Sequence, residues 1–127
     1  MSELICLELS IVLWYVYVFT QGAFAPGALG LMYLSGPRDE RREPKGLLCA
    51  RATRALANYV ENLGPFVAAD LALIVTQHTG GLGATIWIAA RIVYLPLYLS
   101  GVAFIRTLCW LVSLVGLGMM LARLAGA

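Results

Sequence analysis

The chain has 127 residues, of which 61% are hydrophobic and 13% charged, and a mean hydropathy of +0.82. That balance excludes an ordinary soluble domain and reads as an integral membrane protein. A net charge of +2, with the basic residues gathered in a few places, gives no support for nucleic-acid binding, and the scattered Cys6, Cys49 and Cys109 form no metal-ligating spacing.

A hydrocarbon core of about 30 Å takes about 20 apolar residues per helix, so this length holds four spans and short connections. The expected fold is all-α, a four-helix transmembrane bundle in one domain, 1–127, with spans at about 4–34, 52–77, 82–100 and 105–125 and a basic loop at 35–51. The first span, ICLELSIVLWYVYVFTQGAFA, lacks a basic leading region and a small-residue cleavage site, and reads as a retained helix rather than a signal peptide. Glu8 within it is expected to be an interfacial carboxylate, the alternative being a proton or cation site. Pro26 and Gly27 are expected to kink or thin the helix before LGLMYL continues it.

The connection SGPRDERREPKG carries Arg38, Asp39, Glu40, Arg41, Arg42, Glu43 and Lys45 and is followed by Arg51 and Arg54. Such a cluster belongs on the cytoplasmic side, which puts both termini outside. The short loops suggest a multi-pass protein of a bacterial inner membrane. QHTGGLG has no Lys or Arg and belongs outside. His78 and the glycines at 80, 81 and 83 read there as loop and turn residues rather than as a catalytic or phosphate-binding set.

The second span is unusual because Arg51, Arg54, Asn58, Glu61 and Pro65 recur every three or four residues and share one stripe of a helix. A charge at that depth needs a partner, since each costs roughly 2.5 to 3.5 kcal/mol on insertion scales. The third span, ATIWIAARIVYLPLYLSG, carries Arg91 near its middle with Trp87, Tyr94 and Tyr98 on the same face. An interhelical pair between Arg91 and Glu61 is expected, with Asp70 as the other possible partner and a purely register-fixing role as the plainer reading. Pro96 is expected to kink this span, with neighbouring helices covering the freed carbonyl. A very short turn leads to Arg106, Thr107 and the fourth span, in which Gly116 and Gly118 make no GxxxG motif and Arg123 is expected to snorkel at the far end.

Two cationic positions, an amide, a carboxylate and two tyrosines thus converge on one end of the bundle. That set suits a small zwitterion bearing carboxylates, because arginine forks bind carboxylates and Asn58 both donates and accepts. Were the ligand a thiol, Arg106 would favour the thiolate; lowering a thiol from about 8.5 by two pK units takes roughly 2.7 kcal/mol.

RALANYVENLGPF resembles the second-helix signature of the MAPEG family, the membrane-associated proteins in eicosanoid and glutathione metabolism. Arg54, Asn58, Glu61, Pro65 and Phe66 fill that pattern. ARIVYLPLYLSGVAFIRT is similar to the family's third-helix run, with Arg91, Tyr98, Arg106 and Thr107 in the matching places. The resemblance implies a homotrimer of four-helix protomers with glutathione, as thiol co-substrate and without a metal, bound between protomers. Arg54, Asn58, Glu61, Arg91, Tyr94, Tyr98 and Thr107 would form the glutathione site, Arg91 bracing Glu61, and Arg106 would stabilise the thiolate. Ala57, Tyr94 and Trp110 stand where prostaglandin-synthase-like members carry a basic residue, a histidine and a tyrosine.

The expected activity is a bacterial-type membrane glutathione transferase or peroxidase acting on lipophilic small molecules from the bilayer. The alternatives are a non-catalytic lipid-binding or scaffold trimer and a small proton-coupled efflux transporter using Glu8.

Overall fold

A computed structural model describes residues 2–29, 36, 47–79 and 81–126, apart from the side chains of 25–29. The expected continuation of the first helix over 30–34, Gly80 and the charged run 38–45 lie outside the described residues. Four helices follow one another: α1 (Glu3–Leu29), α2 (Leu47–Val75), α3 (Gly83–Ser100) and α4 (Ala103–Ala125). At 1.5 Å per residue they are about 40, 44, 27 and 35 Å long. Residues 47–51, expected in the basic loop, instead form the first turn of α2, so Arg51 projects from a helix.

Length and apolarity qualify α1 (over Glu3–Phe24), α3 and α4 as membrane spans. The α2 helix is not among them, since Arg51, Arg54, Glu61 and Asp70 interrupt its apolar residues. Its neighbours take up part of that polarity. Both α2 and α3 pack against every other helix, the tightest pairs are α1–α2 and α3–α4, and α1 and α4 do not pack on each other. The bundle is therefore a rhombus with α2 and α3 on its short diagonal. Val12, Phe19, Val75, Phe104, Val115 and Leu121 are exposed on the outside, as a lipid-facing surface requires.

The centre is aromatic. Tyr17 stacks on Tyr59 at 4.5 Å between centroids and Phe66 on Trp87 at 4.0 Å. Each tyrosine hydroxyl then binds a helix carbonyl across the core: Tyr17 Oη donates to Arg91 O (2.8 Å) and Tyr59 Oη to Ser10 O (2.5 Å). Buried phenols need such partners, and here they tie α1 to α3 and α2. Proline at 96 frees the carbonyl of Ile92; the interhelical bond falls one residue away, on Arg91 O, and α3 runs through Pro96 to Ser100.

Glycine sets the closest approach. A Cβ on Gly83 would lie 2.5 Å from Gly116 O, and one on Gly116 would lie 2.6 Å from Gly83 O, so the α3 and α4 backbones touch where neither residue has a side chain. Gly118 has nothing within 4 Å and faces away. At the other end α3 stops at Gly101, whose φ of 82° lies in the left-handed region. Gly101 N donates to Tyr98 O and Val102 N to Leu97 O, the paired bonds of a Schellman turn. Two residues therefore suffice to reverse the chain into α4.

Candidate functional site

The turn at Gly101 brings the last turn of α3 beside the first turns of α2 and α4. Arg51 Nη1 donates to Leu99 O (3.0 Å), and its guanidinium occupies the space a Cβ on Gly101 would need. One turn on, Arg54 Nε donates to Tyr98 Oη (3.2 Å), while the Arg106 guanidinium lies over the Tyr98 ring, 4.4 Å from its centroid. Tyr98 is thus held at its hydroxyl by one cation and at its face by another. Because its oxygen accepts from Arg54, its own hydrogen remains free to donate.

Asn58, Tyr94, Tyr98, Arg106, Thr107 and Trp110 line a cavity of about 150 Å³ at this end. Five of these six were expected to form a ligand site, and they come from three helices. Trp110 completes the wall with an indole where a tyrosine was the family expectation, and its buried Nε1 has no hydrogen-bond partner. Thr107 Oγ1 donates to Ala103 O (3.0 Å), as a helical threonine often does, leaving its lone pairs to accept.

Arg91 is fully buried, with the rings of Tyr94, Trp87 and Tyr59 at 5.0, 5.6 and 5.9 Å from its guanidinium carbon. Nη1 donates to Asn58 Oδ1 (2.7 Å), and Nε and Nη2 have no hydrogen-bond partner. Within the protomer this replaces the expected pair with Glu61, which is exposed on the outer side of α2. The reason lies in the helical angle. Residues 58 and 61 are about 60° apart around the axis, enough for Asn58 to face the bundle while Glu61 faces out. Arg54 and Pro65 are exposed on the same outer side.

Asp70, the other partner considered for Arg91, is also fully buried, but at the opposite end, and neither carboxylate oxygen has a hydrogen-bond partner. Cys6 Sγ lies 3.8 Å from Thr85 Oγ1 at that end, where Glu3 is buried as well. Arg123 does more there than snorkel: Nε donates to His78 O (2.9 Å) and Nη2 to Thr79 O (2.6 Å), which pins the α2–α3 connection. Glu8 is exposed rather than turned into the bundle. Among the described residues, no three His, Cys, Asp or Glu side chains are grouped to hold a metal.

The fold defines a helical integral membrane protein in which α2, α3 and α4 enclose a cation-lined cavity at one end of the bundle. The match of residues 4–126 to the MAPEG family model shows that the chain belongs to that family, which places it among membrane proteins of glutathione-related function. No curated protein and no solved structure matches it.

Proposed function

We propose that the protein is a glutathione-dependent transferase or peroxidase whose thiolate attacks apolar electrophiles that arrive through the bilayer. The observation that carries this reading is the cavity itself, in which Arg106, Asn58, Tyr94, Tyr98 and Thr107 converge beside Arg54. The donor set fits the ligand. Two guanidiniums and an amide suit the carboxylates of glutathione, the Thr107 lone pairs suit an amide N–H, and Arg106 stabilises a sulfur anion more than the neutral thiol. The thiolate sulfur forms its bond to the electrophilic carbon as the leaving group departs, or to a peroxide oxygen as the O–O bond breaks.

A cavity of about 150 Å³ is smaller than the roughly 300–1,000 Å³ of common ligand pockets, so a tripeptide needs a second wall. The outer face of α2 supplies a motive for one. Ala57, Val60, Glu61, Gly64, Ala68 and Leu71 are exposed at spacings of three and four, placing a carboxylate among small residues that permit close helix approach. A second copy covering this stripe would shelter Glu61 from lipid and offer it to the ammonium of the bound thiol, in keeping with a homotrimer. Arg51 and Arg54, which follow the basic loop in sequence, support a site on the cytoplasmic side in this reading, with a bacterial inner membrane as the proposed location.

The test is a titration of the detergent-purified protein with glutathione, followed by thiolate absorbance near neutral pH beside Arg106→Ala. Saturable thiolate formation in the wild type, lost in Arg106→Ala, is the expected result; equal thiolate in both removes Arg106 from the chemistry. A second reading, a non-catalytic lipid-binding trimer, is favoured by the apolar indole of Trp110 in the wall. Absence of any saturable thiol binding would put that reading first.

A further inference from the structure

The cavity contains one group whose orientation is fixed by its surroundings. Arginine has only donors, so the Asn58 side-chain atom 2.7 Å from Arg91 Nη1 must be the oxygen. Asn62, one turn further along α2, supports the same assignment: its Nδ2 donates to Asn58 O (2.8 Å) and reaches Asn58 Oδ1 at 3.4 Å. With Oδ1 turned inward toward two donors, Nδ2 is the branch left for the cavity that Asn58 lines.

We propose that Arg91 and Asn62 lock the Asn58 amide with its nitrogen toward the cavity, so that the site selects a ligand presenting a carboxylate there. This rests on the thiol-binding reading above and names the group by which that ligand is recognised. Arg91 is a positioning residue in this scheme and does not touch the ligand. Its full burial behind Tyr59, Trp87 and Tyr94 gives it little else to act on. A cation bonded to the amide oxygen also polarises the amide, which strengthens the N–H donors on its other branch. The buried charge thereby reaches the ligand through Asn58.

Arg106 in the wall and Arg54 beside it support the same selection, since both only donate, and the Tyr98 hydroxyl, having accepted from Arg54, has its hydrogen to give. Thr107, whose hydrogen goes to Ala103 O, offers an acceptor to another part of the ligand. A carboxamide in place of the ligand's carboxylate forfeits the charge-assisted bond, and when its NH₂ faces Asn58 it sets donor against donor.

The experiment compares three thiols on the purified protein by calorimetric titration: glutathione, its glycyl carboxamide, and its carboxamide at the α-carboxylate of the γ-glutamyl end. The wild type is expected to bind one of the two carboxamides about tenfold more weakly than glutathione through loss of a hydrogen bond to a charged acceptor. Asn58→Asp, nearly isosteric and able to pair with Arg91, places an acceptor where the donor was and should abolish that discrimination. Arg91→Gln, which can donate or accept, should blunt it, whereas Arg91→Lys, still only a donor, should retain it. A merely structural Arg91 would weaken all three thiols alike. Equal binding of all three thiols by the wild type, or unchanged discrimination in Asn58→Asp, overturns the proposal while leaving thiol binding intact. Failure of the wild type to bind any of the three overturns the thiol-binding reading, and this inference with it.

Discussion

Replacing Gly116 by alanine inserts one methyl group where two helix backbones meet. The new carbon would sit 2.6 Å from Gly83 O, 2.9 Å from Trp87 N and 3.2 Å from Ile86 Cγ2. Two of these three neighbours are backbone atoms, which cannot rotate away, so α3 and α4 must separate by several tenths of an ångström along the tightest stretch of the bundle. Overpacking of this kind costs about 1–3 kcal/mol. The control is Gly118→Ala two residues on, where nothing lies within 4 Å. There the same change removes only the helical penalty of glycine, worth up to about 1 kcal/mol in favour of alanine. Unfolding midpoints in one detergent, by heat or by denaturing surfactant, should therefore move in opposite directions for the two variants. Equal shifts, or a Gly116→Ala protein as stable as the wild type, would refute the backbone contact between Gly83 and Gly116.

Asp70→Asn should raise stability by about 1–3 kcal/mol, because it neutralises a buried carboxylate with no hydrogen-bond partner; a lowered unfolding midpoint would show that the carboxylate has a binding or pairing role. Tyr98→Phe removes the acceptor of Arg54 Nε but keeps the ring beneath Arg106, so glutathione should bind more weakly by about 0.5–1.5 kcal/mol while the thiolate absorbance at saturation persists. Loss of the thiolate signal in that variant would assign the hydroxyl a direct part in activating sulfur. Arg123→Ala releases the carbonyls of His78 and Thr79, and faster hydrogen exchange confined to the α2–α3 connection is the expected outcome.

Much of the fold was legible because the apolar runs and their polar breaks mark helices directly, and the connections are short. Asn58, Tyr94, Tyr98, Arg106 and Thr107, singled out by their spacing, do share one cavity. Spacing of three and four residues failed at the edge of a face. Arg51 and Asn58 are half-buried, whereas Arg54, Glu61 and Pro65 on the same stripe are exposed, because each step of three falls about 60° short of a full turn and each step of four passes it by only about 40°. The partner of Arg91 changed for that reason. Asn62 was not singled out at all, although its spacing of four from Asn58 is the signal that finds it. The Gly83–Gly116 contact depends on the register of α3 against α4, and the hold of Arg123 on two loop carbonyls depends on backbone positions; neither leaves a pattern in the sequence.

The two-residue reversal at Gly101 and Val102 divides the cavity wall into two mechanical parts. Tyr94 and Tyr98 stand on α3 and Arg106, Thr107 and Trp110 on α4. A connection that short, together with the glycine contact at the other end of the pair, makes α3 and α4 one stiff hairpin. Asn58 belongs to α2, as do the two arginines whose bonds to Leu99 O and Tyr98 Oη cross the seam. Three side-chain bonds then fasten α2 to the hairpin, those of Arg51 and Arg54 at its end and the Arg91–Asn58 bond deeper in. A ligand that drew Arg54 away from Tyr98 would loosen one fastener and leave the other two holding the helices in register.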